Sequence, residues 1–148
     1  MNGSDIQGYD QLPTDAYVQN VLFIAASMKD ALCLISAGYY AIAPQSESVR
    51  ISLETIQELK SRFKSIYILY DLDKAGEKNS IKHSELYNIP YLTLPTIYYQ
   101  SSVDTNTAPD TTTLRTCKDV ADCREHLTTS DFDRLIESML ETACCTVN

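Results

Sequence analysis

Two carboxylates two residues apart, Asp71 and Asp73, close the apolar run 65–70 and stand just before a helix-forming segment that opens Lys74-Ala75-Gly76. Two such groups repel one another unless a proton or a hard cation lies between them. Mg²⁺ suits the arrangement, because it takes one or two carboxylates and completes its shell with water and phosphate oxygens. Asp73 has a second reading as the N-cap of the following helix, where its side chain accepts backbone N–H groups. The run that delivers the pair, Ile66, Tyr67, Ile68, Leu69 and Tyr70, lacks polar alternation and predicts a strand buried on both faces of a parallel sheet. Open α/β sheets bind ligands beyond the carboxyl ends of their strands, which is where this pair is expected.

The elements that must position the pair alternate along the chain. A short apolar strand is predicted over 21–25. A helix follows over 27–37, with Ser27 as N-cap, Asp30 three residues on and Gly38 as the stop. Met28, Ala31, Leu32 and Ile35 form its expected apolar stripe. Residues 40–43 read as a second strand closed by Pro44. Ser52 then caps a helix running to about Phe63, with Leu53, Ile56, Leu59 and Phe63 on one side and Glu58 four residues before Arg62. A polar helix over 74–87 follows the acidic pair, and Pro90 and Pro95 bracket a fourth strand over 91–94. One helical pattern between each pair of buried strands predicts an α/β domain of three layers, α/β/α, with a four-stranded, mainly parallel sheet. The segment 101–117, rich in Ser, Thr, Asp and Pro, is expected to be a flexible loop. Residues 118–148 should hold a short helix and then a longer one, N-capped by Ser130, with Phe132, Leu135, Ile136, Met139 and Leu140 inward. The organisation expected is an extension over 1–20, a core over 21–100, the loop, and a C-terminal acidic motif and helix that complete the domain.

Composition narrows the class. A chain of 148 residues, 44% of them hydrophobic, suits one domain able to bury a core without staples. No apolar stretch reaches the length of a membrane span and the polar start lacks a signal-peptide core, so no membrane partner is expected and the location expected is intracellular. The five cysteines, Cys33, Cys117, Cys123, Cys144 and Cys145, are odd in number and show no C-x-x-C spacing; they read as reduced thiols rather than zinc ligands. The net charge of −8 is unevenly spread, since residues 21–82 hold eight Lys or Arg against seven Asp or Glu. The acidity belongs to the flanks, and the middle could approach a phosphate backbone through Lys60, Arg62 and Lys64, unless these simply form a solvated helix face.

Several segments taken in order resemble a topoisomerase-primase (Toprim) domain. They are Val-Leu-Phe-Ile-Ala-Ala-Ser-Met-Lys-Asp-Ala-Leu at 21–32, Gly-Tyr-Tyr-Ala-Ile-Ala-Pro-Gln-Ser-Glu at 38–47, Tyr-Asp-Leu-Asp-Lys-Ala-Gly at 70–76, Leu-Pro at 94–95 and Lys-Asp-Val-Ala-Asp at 118–122. The chain is most similar to the Toprim part of phage-type DNA primases, where a segment like Gly-Tyr-Asp-Gln-Leu-Pro at 8–13 can precede the first strand.

The resemblance implies acidic residues around Mg²⁺ (or Mn²⁺). Asp71 and Asp73 match the family's D-x-D, and Asp119 and Asp122 match its later K-D-x-x-D element. The family's E-G-x-x-D element falls on Ala26, Ser27, Met28, Lys29 and Asp30, so an alanine stands where a glutamate is usual. Glu47, after the second strand, is the candidate replacement, with an exposed loop glutamate as its other reading. Glu47, Asp71 and Asp73 are thus the implied catalytic residues, and with Asp119 and Asp122 the implied metal ligands. Lys29, Lys74 and Lys118 are candidate phosphate or nucleic-acid contacts. Asp30 reads equally as the partner of Ser27 in a capping box. The function implied is a Toprim module of a primase-like DNA replication protein that acts on nucleotide or nucleic-acid phosphate. It would be weak or inactive alone and work in the cytoplasm of a bacterial or phage-infected cell. Its partners would be DNA or RNA, nucleotides, and other replication proteins or further primase segments. A non-catalytic binding module of the same fold is the alternative. A receiver-like or phosphatase-like domain using Asp71 is more remote, because Ala25 and Ala26 stand where a receiver carries acids.

Overall fold

The computed structural model describes residues 6–13, 19–46, 49–101 and 113–146. Four strands form the central sheet: β1 (Gln19–Ala25), β2 (Tyr40–Ile42), β3 (Phe63–Leu69) and β4 (Tyr91–Leu92). They are all parallel and lie in the order β2-β1-β3-β4, so β3 is an interior strand. Helices α1 (Met28–Ser36), α2 (Leu53–Arg62) and α3 (Lys74–Tyr87) make the three crossovers. The chain first moves outward from β1 to β2 and then crosses back to β3. That reversal between β1 and β3 is the kind of switch point at which open α/β sheets leave a crevice.

Successive residues of the central strands feed two apolar layers. Phe23, Ala25, Tyr67 and Leu69 pack with Ala31 and Leu34 of α1, and with residues of α4 (Val120–His126) and α5 (Thr129–Thr146). Leu22, Ile24, Ile66 and Ile68 pack on the other side with Ile56 and Leu59 of α2 and Tyr87 of α3. The result is the expected three-layer α/β/α arrangement. A fully buried Ile or Leu contributes about 1.5–3 kcal/mol. The exposed Glu58–Arg62 pair of α2, at 3.3 Å, contributes a few tenths. The two layers, not the surface pairs, therefore hold the sheet.

Several local expectations shift. On α1 the buried face is Asp30, Ala31 and Leu34, while Leu32 and Ile35 are exposed. The stripe is rotated because α4 packs on α1 and takes the face that carries Asp30 and Ala31. Leu53 is also exposed, and Phe63 is not the end of α2 but the first residue of β3. Helix α5 begins one residue before Ser130, with the Thr128 hydroxyl accepting the Asp131 N–H at 3.1 Å. Residues assigned to a loop by composition form part of a two-stranded antiparallel ribbon, β5 (Tyr98–Ser101) with β6 (Thr113–Thr116). The interior of that loop, residues 102–112, lies outside the described residues, as does Glu47. Cys33, Cys117 and Cys123 are free thiols, and burial pushes Cys123 up to about 12. Among the described residues no helix is long and apolar enough to cross a membrane.

Asp30 joins α1 to α4. Its carboxylate accepts the Ser27 hydroxyl at 2.7 Å and the Ala121 N–H at 2.9 Å while only 2% exposed. Asp30→Ala should therefore destabilise the chain by about 1–3 kcal/mol, read from the urea midpoint. Burial holds the carboxyl above its ordinary value of 3.8, opposed by the hydrogen bonds from Ser27 and Ala121. A carboxyl raised on folding binds its proton more tightly in the folded chain, so its contribution to stability falls as pH rises from about 4 through the folded value. Asp30→Asn keeps an acceptor and should lose this part of the pH dependence.

Candidate functional site

Strand β3 ends at Leu69, and the turn beyond it is fixed from three directions. The Asp73 side chain caps α3, accepting the Gly76 N–H at 2.6 Å. The Leu72 N–H donates to the Lys118 carbonyl at 2.6 Å. Gly76 lies against the backbone of Asp71 so closely that a Cβ there would overlap the Asp71 carbonyl. Glycine is needed here for a close approach, with the first turn of the helix seated on the strand end.

The turn opens on a cavity of about 390 Å³ lined by Asp71, Asp73, Lys74, Glu77, Ser80, Tyr91 and their neighbours. Glu77 is four residues from Asp73 on the same helix face, a spacing the sequence displays. Tyr70 forms part of the wall. Its hydroxyl is hydrogen-bonded at 2.8 Å to Nδ1 of His83, a buried residue that also lies against the ring of Tyr87. Burial first, then the Lys82 and Arg50 charges, push the His83 imidazole below its ordinary value, which favours its neutral form. His83 and Tyr91 were not legible as site neighbours, because their placement depends on the packing of α3 and the register of β4.

Lys29, Lys118, Asp119 and Asp122 gather at a neighbouring seam. Asp119 is buried and caps α4, accepting the Asp122 N–H at 2.7 Å, while Asp122 accepts the Lys118 N–H at 3.2 Å. The K-D-x-x-D element is thus a reciprocal helix-start device. The second oxygen of Asp119 faces Lys29 Nζ at 3.5 Å, and Asp119 is the main cause that raises the Lys29 ammonium. With Lys29 largely exposed, this pair adds little stability. The Leu72–Lys118 hydrogen bond links the seam to the acidic turn. Among the described residues, no three His, Cys, Asp or Glu side chains are disposed to hold one metal ion. Ala26, one residue past β1, is buried in the apolar layer with Tyr70.

No protein-family model and no curated protein matches the chain. Solved structures do match. The primase fragment of the bacteriophage T7 primase-helicase protein aligns at TM-score 0.54 and 16% identity, covering 85% of this chain and 45% of that one. A structure of the bacteriophage T7 lagging-strand DNA polymerase interacting with primase domains of two gp4 subunits, bound to an RNA/DNA hybrid and dTTP, aligns at TM-score 0.51 and 16% identity over 83% and 55%. The Aquifex aeolicus primase, with its zinc-binding and RNA polymerase domains, aligns at TM-score 0.52 and 20% identity over 80% and 25%. The chain shares its fold with these primase structures. The chain spans about half or less of the length of these neighbours.

Gly76→Ala separates two effects. Helix propensity alone favours alanine by up to about 1 kcal/mol. Overlap with the Asp71 backbone should reverse the sign, with a loss of about 1–3 kcal/mol on thermal unfolding.

Proposed function

We propose that this chain is the Mg²⁺-binding Toprim module of a primase-like DNA replication protein, in which Asp71 and Asp73 meet the phosphates of a nucleotide or nucleic acid. The observation that carries the reading is the acid-lined cavity at the carboxyl end of β3, beside the reversal of strand order, in a fold shared with primase chains. The donors fit Mg²⁺ in kind. Two carboxylates are sufficient protein ligands for an ion that keeps waters and takes phosphate oxygens, and the cap uses only one oxygen of Asp73. Glu47 is the proposed third carboxylate.

When bound, the ion supplies electrostatic stabilisation of the charge that develops in phosphoryl transfer. The chain's own residues position and select. Gly76 and the Leu72–Lys118 hydrogen bond fix the turn that carries both carboxylates. Lys74 and Lys118 offer cations to phosphate oxygens, and Lys29 does so only by leaving Asp119. The nucleic acid and nucleotide in the T7 complex support the same classes of partner here, together with other replication proteins or primase segments. The working location proposed is the cytoplasm of a bacterial or phage-infected cell.

One observation favours a second reading, a non-catalytic binding module. The position expected to carry an acid holds Ala26, whose methyl group belongs to an apolar layer.

Mg²⁺ or Mn²⁺ titration followed by NMR should perturb Asp71, Asp73 and their neighbours. Asp71→Asn and Asp73→Asn should each weaken binding at least about tenfold without unfolding the chain, since asparagine still caps a helix. Unchanged affinity in both variants removes the reading. The isolated chain should make little or no primer, because a missing acid-base group typically costs about 10² to 10⁴ in rate. Ala26→Glu should raise metal affinity, whereas robust primer synthesis by the unmodified chain contradicts the assignment.

A further inference from the structure

We propose that Tyr91 is a stacking platform for a nucleobase, so that the cavity beside α3 takes a whole nucleoside 5′-phosphate and not the phosphates alone. The proposal rests on the metal reading above and deepens it. Tyr91 is paired with Ile68, three residues before Asp71 on the neighbouring strand. At roughly 3.3 Å per residue, the ring is carried about 10 Å below the acidic turn. Helix α3 descends alongside, and Ser80, seven residues after Asp73, lies at a similar depth, about 10 Å at 1.5 Å per residue. Both line the same cavity, which is therefore a trough with unlike ends.

The upper end holds two hard oxygen donors and the Lys74 ammonium. The lower end is lined by Tyr91, 40% exposed, and by Ser80, both uncharged. A ligand that fills the trough must be anionic at one end and flat and uncharged at the other. A nucleoside 5′-phosphate has this form, and a cavity of about 390 Å³ is of the size that holds small ligands. Glu77, one turn into α3, sets the direction. Its carboxylate repels a phosphate from the middle of the trough, which leaves the phosphates at the end with Lys74 and the metal. The wall is stiff, because the hydroxyl of Tyr70 is tied to buried His83. Stacking on an exposed tyrosine is tolerant of sequence, since every base presents a π-face.

The test is calorimetry with a non-hydrolysable ATP analogue and, separately, inorganic triphosphate, each with Mg²⁺, on the full chain and on Tyr91→Ala and Tyr91→Phe. Tyr91→Ala should weaken the ATP analogue about five-fold or more and leave triphosphate unchanged, while Tyr91→Phe retains both. Equal affinity for the analogue in Tyr91→Ala overturns the proposal, as does a parallel loss of analogue and triphosphate. Analogue binding that depends on Tyr91 but not on Mg²⁺, Asp71 or Asp73 supports the platform and removes the metal reading instead. Failure of the unmodified chain to bind either ligand removes both. A single-stranded oligonucleotide lacking a 5′-phosphate, added as competitor, separates a free nucleotide from a base within a strand. Competition at equal base concentration shows that the platform serves strands and overturns the nucleotide assignment.

Discussion

The seating of the first turn of α3 on the end of β3 decides where every charged group at the sheet edge can stand. Leu69 is fully buried and belongs to one apolar layer, Tyr70 belongs to the other, and Asp71 follows with no spacer. A carboxylate cannot continue into either layer without a large desolvation cost. The chain must therefore leave the sheet at Asp71, and it turns at once into a helix whose Gly76 lies on the Asp71 carbonyl. That contact draws the N-terminus of α3 over the strand end. Capping by Asp73 then follows from the same geometry.

Much of this frame was legible because the central strands are buried on both faces. An uninterrupted apolar run leaves few alternatives, and β3 is the interior strand expected. Helix faces were harder to read. On α1 the residues Leu32 and Ile35 have the right hydrophobicity for a core, yet the buried face carries a carboxylate, Asp30. What outweighs hydrophobicity there is a long-range partner, the Ala121 N–H at the start of α4, ninety-one residues away in the chain. The ribbon β5–β6 was invisible for a related reason. Thr113, Thr116 and Ser101 are ordinary loop residues by composition, and pairing between distant segments makes them strands.

The site divides in the same way. Asp71 and Asp73 could be placed from sequence at a strand end and a helix start, because both positions are set by local signals. The K-D-x-x-D element was also visible as a pattern, but in this structure its hydrogen bonds are those of a helix cap, and its second oxygen pairs with Lys29. Glu77 carries an i,i+4 signal, since it stands four residues after Asp73 and lines the same cavity. Tyr91 had none, since a tyrosine beside a proline gains meaning only when its register opposite Ile68 places it beneath the acidic turn.

The carboxylates at this edge hold together elements that separate stretches of sequence supply, and this constrains how the edge can act. Asp30 pins α1 to α4 and Asp119 caps α4, while Leu72 ties the acidic turn to Lys118 at the start of the same helix. Removing Asp119 would release Lys29 and uncap α4 together, so its loss would disturb the acidic turn whether or not its carboxylate also meets a cation. Asp73 is different, because one capping bond to a backbone N–H leaves capacity on the same carboxylate and asparagine can reproduce the cap. The two groups with the strongest claim to bind an ion are therefore those beyond β3. A cation there would also offset their mutual repulsion, which links ion binding to the stability of the turn that presents them.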